Sequence, residues 1–188
     1  MKTLREQFEE DYIAVSVPAN ERNRVKIRYV YYAPWYCWDL PASVLNQKKL
    51  LLAGVSVGSL LLFLLAGIQE TSLNTYVFVA LPGTLALCAH VLELFGVFQF
   101  QYAKYRTSRM TYFSIDRILN CVPLIRGVSL LAAAAAGVSY MIRNAFQLQA
   151  VLVTGGYLAC ALMALFIFKE YRKIPLKTEK NNMPEGLI

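Results

Sequence analysis

LLLAGVSVGSLLLFLLAGI, Leu50 to Ile68, contains no charged residue and no proline. An α-helix rises about 1.5 Å per residue, so a run of this length reaches across the roughly 30 Å of hydrocarbon in a bilayer. Three further runs have the same reach: Tyr76 to Phe100, which holds His90 and Glu93; Ile118 to Ile142, which holds Arg126 and the small tract Ala132 to Gly137; and Ala150 to Phe168, without charge. Lipid offers no partner to a backbone N–H or C=O, so a crossing segment is a helix or part of a closed barrel. Barrel strands alternate strictly over about ten residues, and these runs do not alternate. The expected fold is therefore all-α, a four-helix transmembrane bundle. Pro82 and Pro123 are read as lying in first turns, where proline is tolerated.

The 188-residue composition agrees. Hydrophobic residues make up 57% and charged ones 16%, against roughly 45–50% and 25% in soluble domains. Disorder is excluded for most of the length. Ten Gly, seven Pro and four Cys exclude collagen-like and disulfide-dense scaffolds. The expected division is a non-membrane lead over residues 1–49, a four-span domain over 50–168, and a basic tail over 169–188.

Charge sets the expected orientation. Lys2, Arg5, Arg22, Arg24, Lys26, Arg28, Lys48 and Lys49 precede the first span. Lys104, Arg106, Arg109 and Arg117 lie between the second and third. Lys169, Arg172, Lys173, Lys177 and Lys180 follow the fourth. Only Arg126 and Arg143 of the 19 Lys and Arg lie elsewhere. Short loops rich in Lys and Arg stay cytoplasmic, so both termini are expected inside the cell. Basic residues that flank spans, instead of lining one groove, give no nucleic-acid footprint. No cleavable signal peptide or lipidation motif is expected. Short opposite loops without glycosylation acceptors favour a bacterial inner membrane.

The lead has its own pattern. Thr3 and Glu6 fit a capping box ahead of a short helix from Leu4 to Asp11. Tyr12 to Val17 and Val25 to Tyr32 read as strands of a candidate hairpin, which alone is marginal in water. It would need the membrane surface, the cytoplasmic ends of the spans or a second copy of the chain. Then comes YVYYAPWYCWDLP, Tyr29 to Pro41. Tyr32, Trp35, Tyr36 and Trp38 could form a platform for a base, a cation or a lipid. Beside a span they are read instead as an interfacial belt at headgroup level. Asp39 is read as capping a helix whose first turn holds Pro41 and which runs through Lys48 and Lys49 into the first span.

One constellation inside the spans carries ionisable groups. His90 and Glu93, three residues apart, share a helix face. At 1.5 Å per residue, Glu93 lies about 10 Å from the end of its span at Phe100, and Arg126 about 12 Å from the start of its own at Ile118. Opposite charges at similar depth on antiparallel neighbours predict an ion pair, with His90 a turn deeper. An unpaired charge there costs at least ~2.5–3.5 kcal/mol. The stripes Gly83, Ala86, His90, Glu93, Val97 and Arg126, Ser129, Ala133, Ala136, Tyr140 are expected to face each other. Gly54 and Gly58 form GxxxG, either a dimer face or a contact with the chain's own third span, and Gly155, Gly156 and Ala159 give the fourth span a small patch.

Cys37, Cys88, Cys121 and Cys160 make no CxxC, and the chain has one His, so neither redox nor structural zinc chemistry is expected. GxSxG, P-loop and GxGxxG motifs are missing. No cofactor is expected. The first expectation is a non-enzymatic subunit, scaffold or anchor with a Glu–Arg clamp, its partners being membrane lipids and a protein or second copy met by the lead. A small proton- or cation-coupled transporter using Glu93 and His90 is the alternative. A membrane enzyme of lipid or envelope metabolism, using the aromatic stretch, is a third reading without positive support in the residues.

Overall fold

The computed structural model describes residues 4–18, 25–144 and 146–181. In chain order these form α1 (Leu4–Asp11), β1 (Tyr12–Pro18), β2 (Val25–Tyr31), β3 (Trp35–Trp38), α2 (Ala42–Ile68), α3 (Ser72–Thr75), α4 (Val77–Tyr102), β4 (Arg106–Thr107), α5 (Arg109–Arg143), α6 (Leu148–Arg172) and β5 (Leu176–Glu179). The chain divides into two compact units: Leu40–Tyr102 with Ser114–Pro175, and Met1–Asp39 with Ala103–Phe113 and Leu176–Ile188.

The first unit is helical. Its helices α2, α4, α5 and α6 are each long and apolar enough to cross a membrane. All four outrun the apolar runs read from the sequence, because their polar end turns find partners. Lys48 on α2 bonds Glu170 on α6 at 3.0 Å. Lys49 is buried, with its ammonium 5.4 Å from the centre of the Phe100 ring. On α5, Asp116 accepts from Asn120 at 2.7 Å and from the Tyr171 hydroxyl of α6 at 3.4 Å. Pro82 lies in the second turn of α4. Pro123 is deep inside α5, not in a first turn, because that helix starts at Arg109. The bond a residue there would make to the Leu119 carbonyl is lost. Nor does Asp39 cap α2: the N-cap position is Pro41, without a side-chain cap.

At the other end of α2, the side-chain amide of Asn74 donates to the carbonyls of Ala66, Gly67 and Gln69 at 3.3, 3.2 and 2.8 Å. One side chain thus satisfies the orphan carbonyls of a helix terminus. Tyr157 of α6 donates to the same Asn74 at 3.3 Å. The core around this end includes Phe63, Leu73, Val79, Leu130, Val153 and Tyr157. Outward-facing Leu61, Leu65, Phe78, Leu81, Phe95 and Leu162 are exposed. A surface this continuously apolar suits lipid and not water.

Helix α2 has its most extensive contact with α6 and, after it, with α4. The small residues that permit close approach are only partly those the sequence suggested. Gly156 meets Ala66 and Ala133 is fully buried, but nothing lies within 4 Å of the space beside Gly54, Gly58 or Gly83. The GxxxG does not pack against α5. The crowded glycines are Gly96 against Ile118, Gly127 against Leu165 and Gly137 against Thr154.

The second unit holds the strands, and it departs from an all-α reading. β1 and β2 form an antiparallel hairpin with Tyr12 opposite Tyr31 and Pro18 opposite Val25. The Thr3 half of the capping box and the turn at 19–24 lie outside the described residues. β3 is the centre of a three-stranded antiparallel sheet, order β4-β3-β5, with Tyr36 opposite both Thr107 and Thr178. Of the residues read as a belt, Trp35, Tyr36 and Trp38 lie in this strand and Tyr32 precedes it. Trp38 is buried against Tyr112, Tyr36 stacks on Tyr112 with centroids 4.9 Å apart, and Trp35 packs on Tyr31 at 4.6 Å. Tyr32 keeps an exposed face. The tail contributes β5, and Asn181 donates to the Tyr31 carbonyl at 2.8 Å.

Alanine substitutions separate open from crowded glycines. Gly54→Ala and Gly58→Ala should be neutral or stabilising, since alanine gains up to about 1 kcal/mol of helix propensity. At Gly137 a new Cβ would meet the stiff Thr154 side chain at 2.5 Å. Overpacking of about 1–3 kcal/mol should outweigh that gain. Unfolding midpoints in detergent check both.

Candidate functional site

Ser56 and Ser59 are the only hydroxyls in the first apolar run, and helical spacing puts them on one face. Both are fully buried. That face meets α4, where His90 and Glu93 share a face by the same spacing. Ser56 Oγ donates to Glu93 Oε1 at 3.0 Å. The Ser56 carbonyl lies 3.0 Å from His90 Nε2. A carbonyl only accepts, so Nε2 carries the proton of that imidazole. From α5, Arg126 Nη1 stands 3.2 Å from Glu93 Oε1. From α6, Cys160 Sγ donates to the Ser59 carbonyl at 3.4 Å. One polar layer therefore receives groups from all four long helices. The structure brings His90, Glu93 and Arg126 together and adds Ser56, Ser59 and Cys160.

Both charges are completely buried, at 0% exposure. Removing two ions from water costs several kcal/mol each, which attraction offsets only with good geometry and further hydrogen bonds. Here the geometry is incomplete. Glu93 Oε1 is satisfied, but Glu93 Oε2, Ser59 Oγ and all three guanidinium nitrogens of Arg126 make no hydrogen bond. The pair is close enough for a salt bridge without the alignment of a hydrogen bond.

Apolar layers bound the site. Toward one end Leu52, Val97, Leu119 and Ile167 are buried. On their helices they separate it from the end-turn groups Lys49, Phe100, Asp116 and Tyr171. Toward the other end lies the core around Phe63 and Leu130. Among the described residues no group of three His, Cys, Asp or Glu could hold a metal ion.

The strand-bearing unit has a polar junction of its own. Arg109 reaches Asp11, whose carboxylate is 2% exposed, at 3.5 Å, and its backbone N–H donates to the Tyr31 hydroxyl at 2.9 Å. Arg106 pairs with Glu179 at 2.8 Å, joining β4 and β5. That pair is too exposed to contribute more than about 1 kcal/mol. Cys37 is fully buried in the sheet, and burial, with Glu179 second, pushes its thiol above its ordinary value.

Comparison of the chain with protein-family models, curated proteins and solved structures returns no match.

Removing one member of the charged pair should be far worse than removing both. Arg126→Leu leaves a buried carboxylate uncompensated and should cost about 3–5 kcal/mol, while Glu93→Leu combined with Arg126→Leu should recover much of it. Ser56→Ala should cost about 1–3 kcal/mol through the unmet Glu93 oxygen. A double-mutant cycle on detergent-purified protein reads all three. Equal losses for the single and double variants would contradict the coupling.

Proposed function

We propose that the chain is an integral membrane protein of non-enzymatic type, a subunit, scaffold or anchor, in which the Glu93–Arg126 layer is a fixed joint. One observation carries this reading. The only two charges of that layer are completely buried, tied to Ser56 and enclosed by apolar layers. A joint requires dry packing around the charges, and water-linked relays require access to them.

The second sheet supports the orientation we propose. β3, β4 and β5 are hydrogen-bonded together, so the lead, the α4–α5 connection and the tail lie on one side of any membrane the helices cross. Those segments with their flanks carry all the Lys and Arg except Arg126 and Arg143. Positive flanks put that side in the cytoplasm, with both termini, and we assign the protein to a bacterial inner membrane. Lipids are its first partners. Exposed Ile13, Ile27 and Tyr29 on the hairpin suit contact with another protein or a second copy.

A second reading, a small proton- or cation-coupled transporter using Glu93 and His90, is favoured by a different observation: the guanidinium nitrogens and Glu93 Oε2 lack hydrogen-bond partners.

Purification in mild detergent should bring down a stoichiometric protein partner or a defined oligomer, and a monodisperse monomer counts against the subunit role. In intact cells a membrane-impermeant maleimide should label Ser72→Cys, while Lys180→Cys should react only after permeabilisation. The reverse pattern inverts the orientation.

A further inference from the structure

Arg126 is over-supplied with donors for its surroundings. A guanidinium offers five N–H groups and accepts nothing. The residue is 0% exposed, and its Nε, Nη1 and Nη2 make no hydrogen bond. The acceptors close by are few. Glu93 Oε1, 3.2 Å from Nη1, already takes the Ser56 hydroxyl. Glu93 Oε2 is likewise without a hydrogen bond. Five donors facing one carboxylate under full burial leave donors to spare for a small acceptor.

We propose that this layer binds one small monovalent anion of the halide class, which Arg126 holds in place of the Glu93 carboxylate, and that one proton enters with each anion. Charge balance carries the coupling. Around the Arg126–Glu93 pair stand Ser56 from α2, His90 from α4 and Cys160 from α6. With the imidazole neutral, Arg126 and Glu93 cancel. An anion added to that pair leaves one uncompensated negative charge where water is excluded, a costly state. The same anion with a proton on Glu93 leaves the layer neutral again. No bond is broken: the proton arrives from solution, sits on the Glu93 carboxyl, and leaves with the anion. The Ser56 hydroxyl, which donates to Glu93, can rotate to donate to the anion instead. This deepens the transport reading of the site, since uptake of anion and proton together is electroneutral.

Isothermal titration of the full-length detergent-purified chain with sodium chloride, against gluconate-matched buffer, tests the site directly. Wild type should show saturable one-to-one chloride binding, displaced by bromide. A one-proton linkage weakens it by up to tenfold for each pH unit above the titration of the carboxyl. Glu93→Gln leaves Arg126 without its resident counter-charge, so it should bind chloride more tightly and with no pH dependence. Arg126→Leu should not bind. Should that variant fail to fold, Arg126→Lys keeps the charge but not the fork and should bind at least tenfold more weakly. Absence of saturable chloride binding in both wild type and Glu93→Gln, with both folded by circular dichroism, overturns the anion site. Wild-type binding without pH dependence overturns the proton coupling. Abolition of the pH dependence by His90→Gln instead of Glu93→Gln overturns the assignment to Glu93. None of these depends on the joint: a chain that needs both charges for stability yet ignores chloride loses the anion site alone.

Discussion

The buried charge of Arg126 is the constraint around which the helical unit is arranged. A guanidinium cannot shed its proton, so it must be answered in place. Glu93 answers the charge, Ser56 orients Glu93, and the Ser56 carbonyl receives His90. Each group sits on a different helix or a different turn. A slip of one residue along α2 would rotate Ser56 about 100° away from α4 and undo two contacts at once. The polar layer thereby sets the register of α2, α4 and α5, while the apolar layers on either side contribute packing that many residues could supply.

That dependence is sharper if the helices lie in lipid. Between helices in a bilayer there is no hydrophobic driving force, because acyl chains are as apolar as leucine. Association then rests on close packing and on interhelical polar contacts. The structure has both, in separate places: Gly137 against Thr154 and Gly156 against Ala66 on one side of the layer, Lys48 with Glu170 and Asp116 with Tyr171 on the other.

The four long helices were legible because their signal is local: a run of apolar residues long enough to cross a bilayer declares itself without reference to anything else. The charges at 93 and 126 were legible for a related reason, since helical rise converts residue number into depth. Three features were not. The start of the third long helix was read too late, because Asp116 looks like a solvated flank until its partner on another helix is known. Ser56 and Ser59 were passed over as part of an uncharged run, although two hydroxyls three residues apart on an otherwise apolar helix were a signal. The sheet β4-β3-β5 was out of reach, because it joins residues 35–38, 106–107 and 176–179. Pairing over such separations leaves no periodic trace in any one of the segments.

The layer itself bears on what kind of machine the helical unit can be. Its contacts run through side chains: Ser56 Oγ and Arg126 both meet Glu93 Oε1, and Glu93 Oε2 is left without a hydrogen bond. A change of state there can be a local one: a carboxyl turning away from a guanidinium, with Ser56 re-aiming its hydroxyl. Side-chain exchange of this kind needs little space and no rearrangement of the backbone. It is compatible both with a layer that normally serves as a joint and with one that admits a small ion.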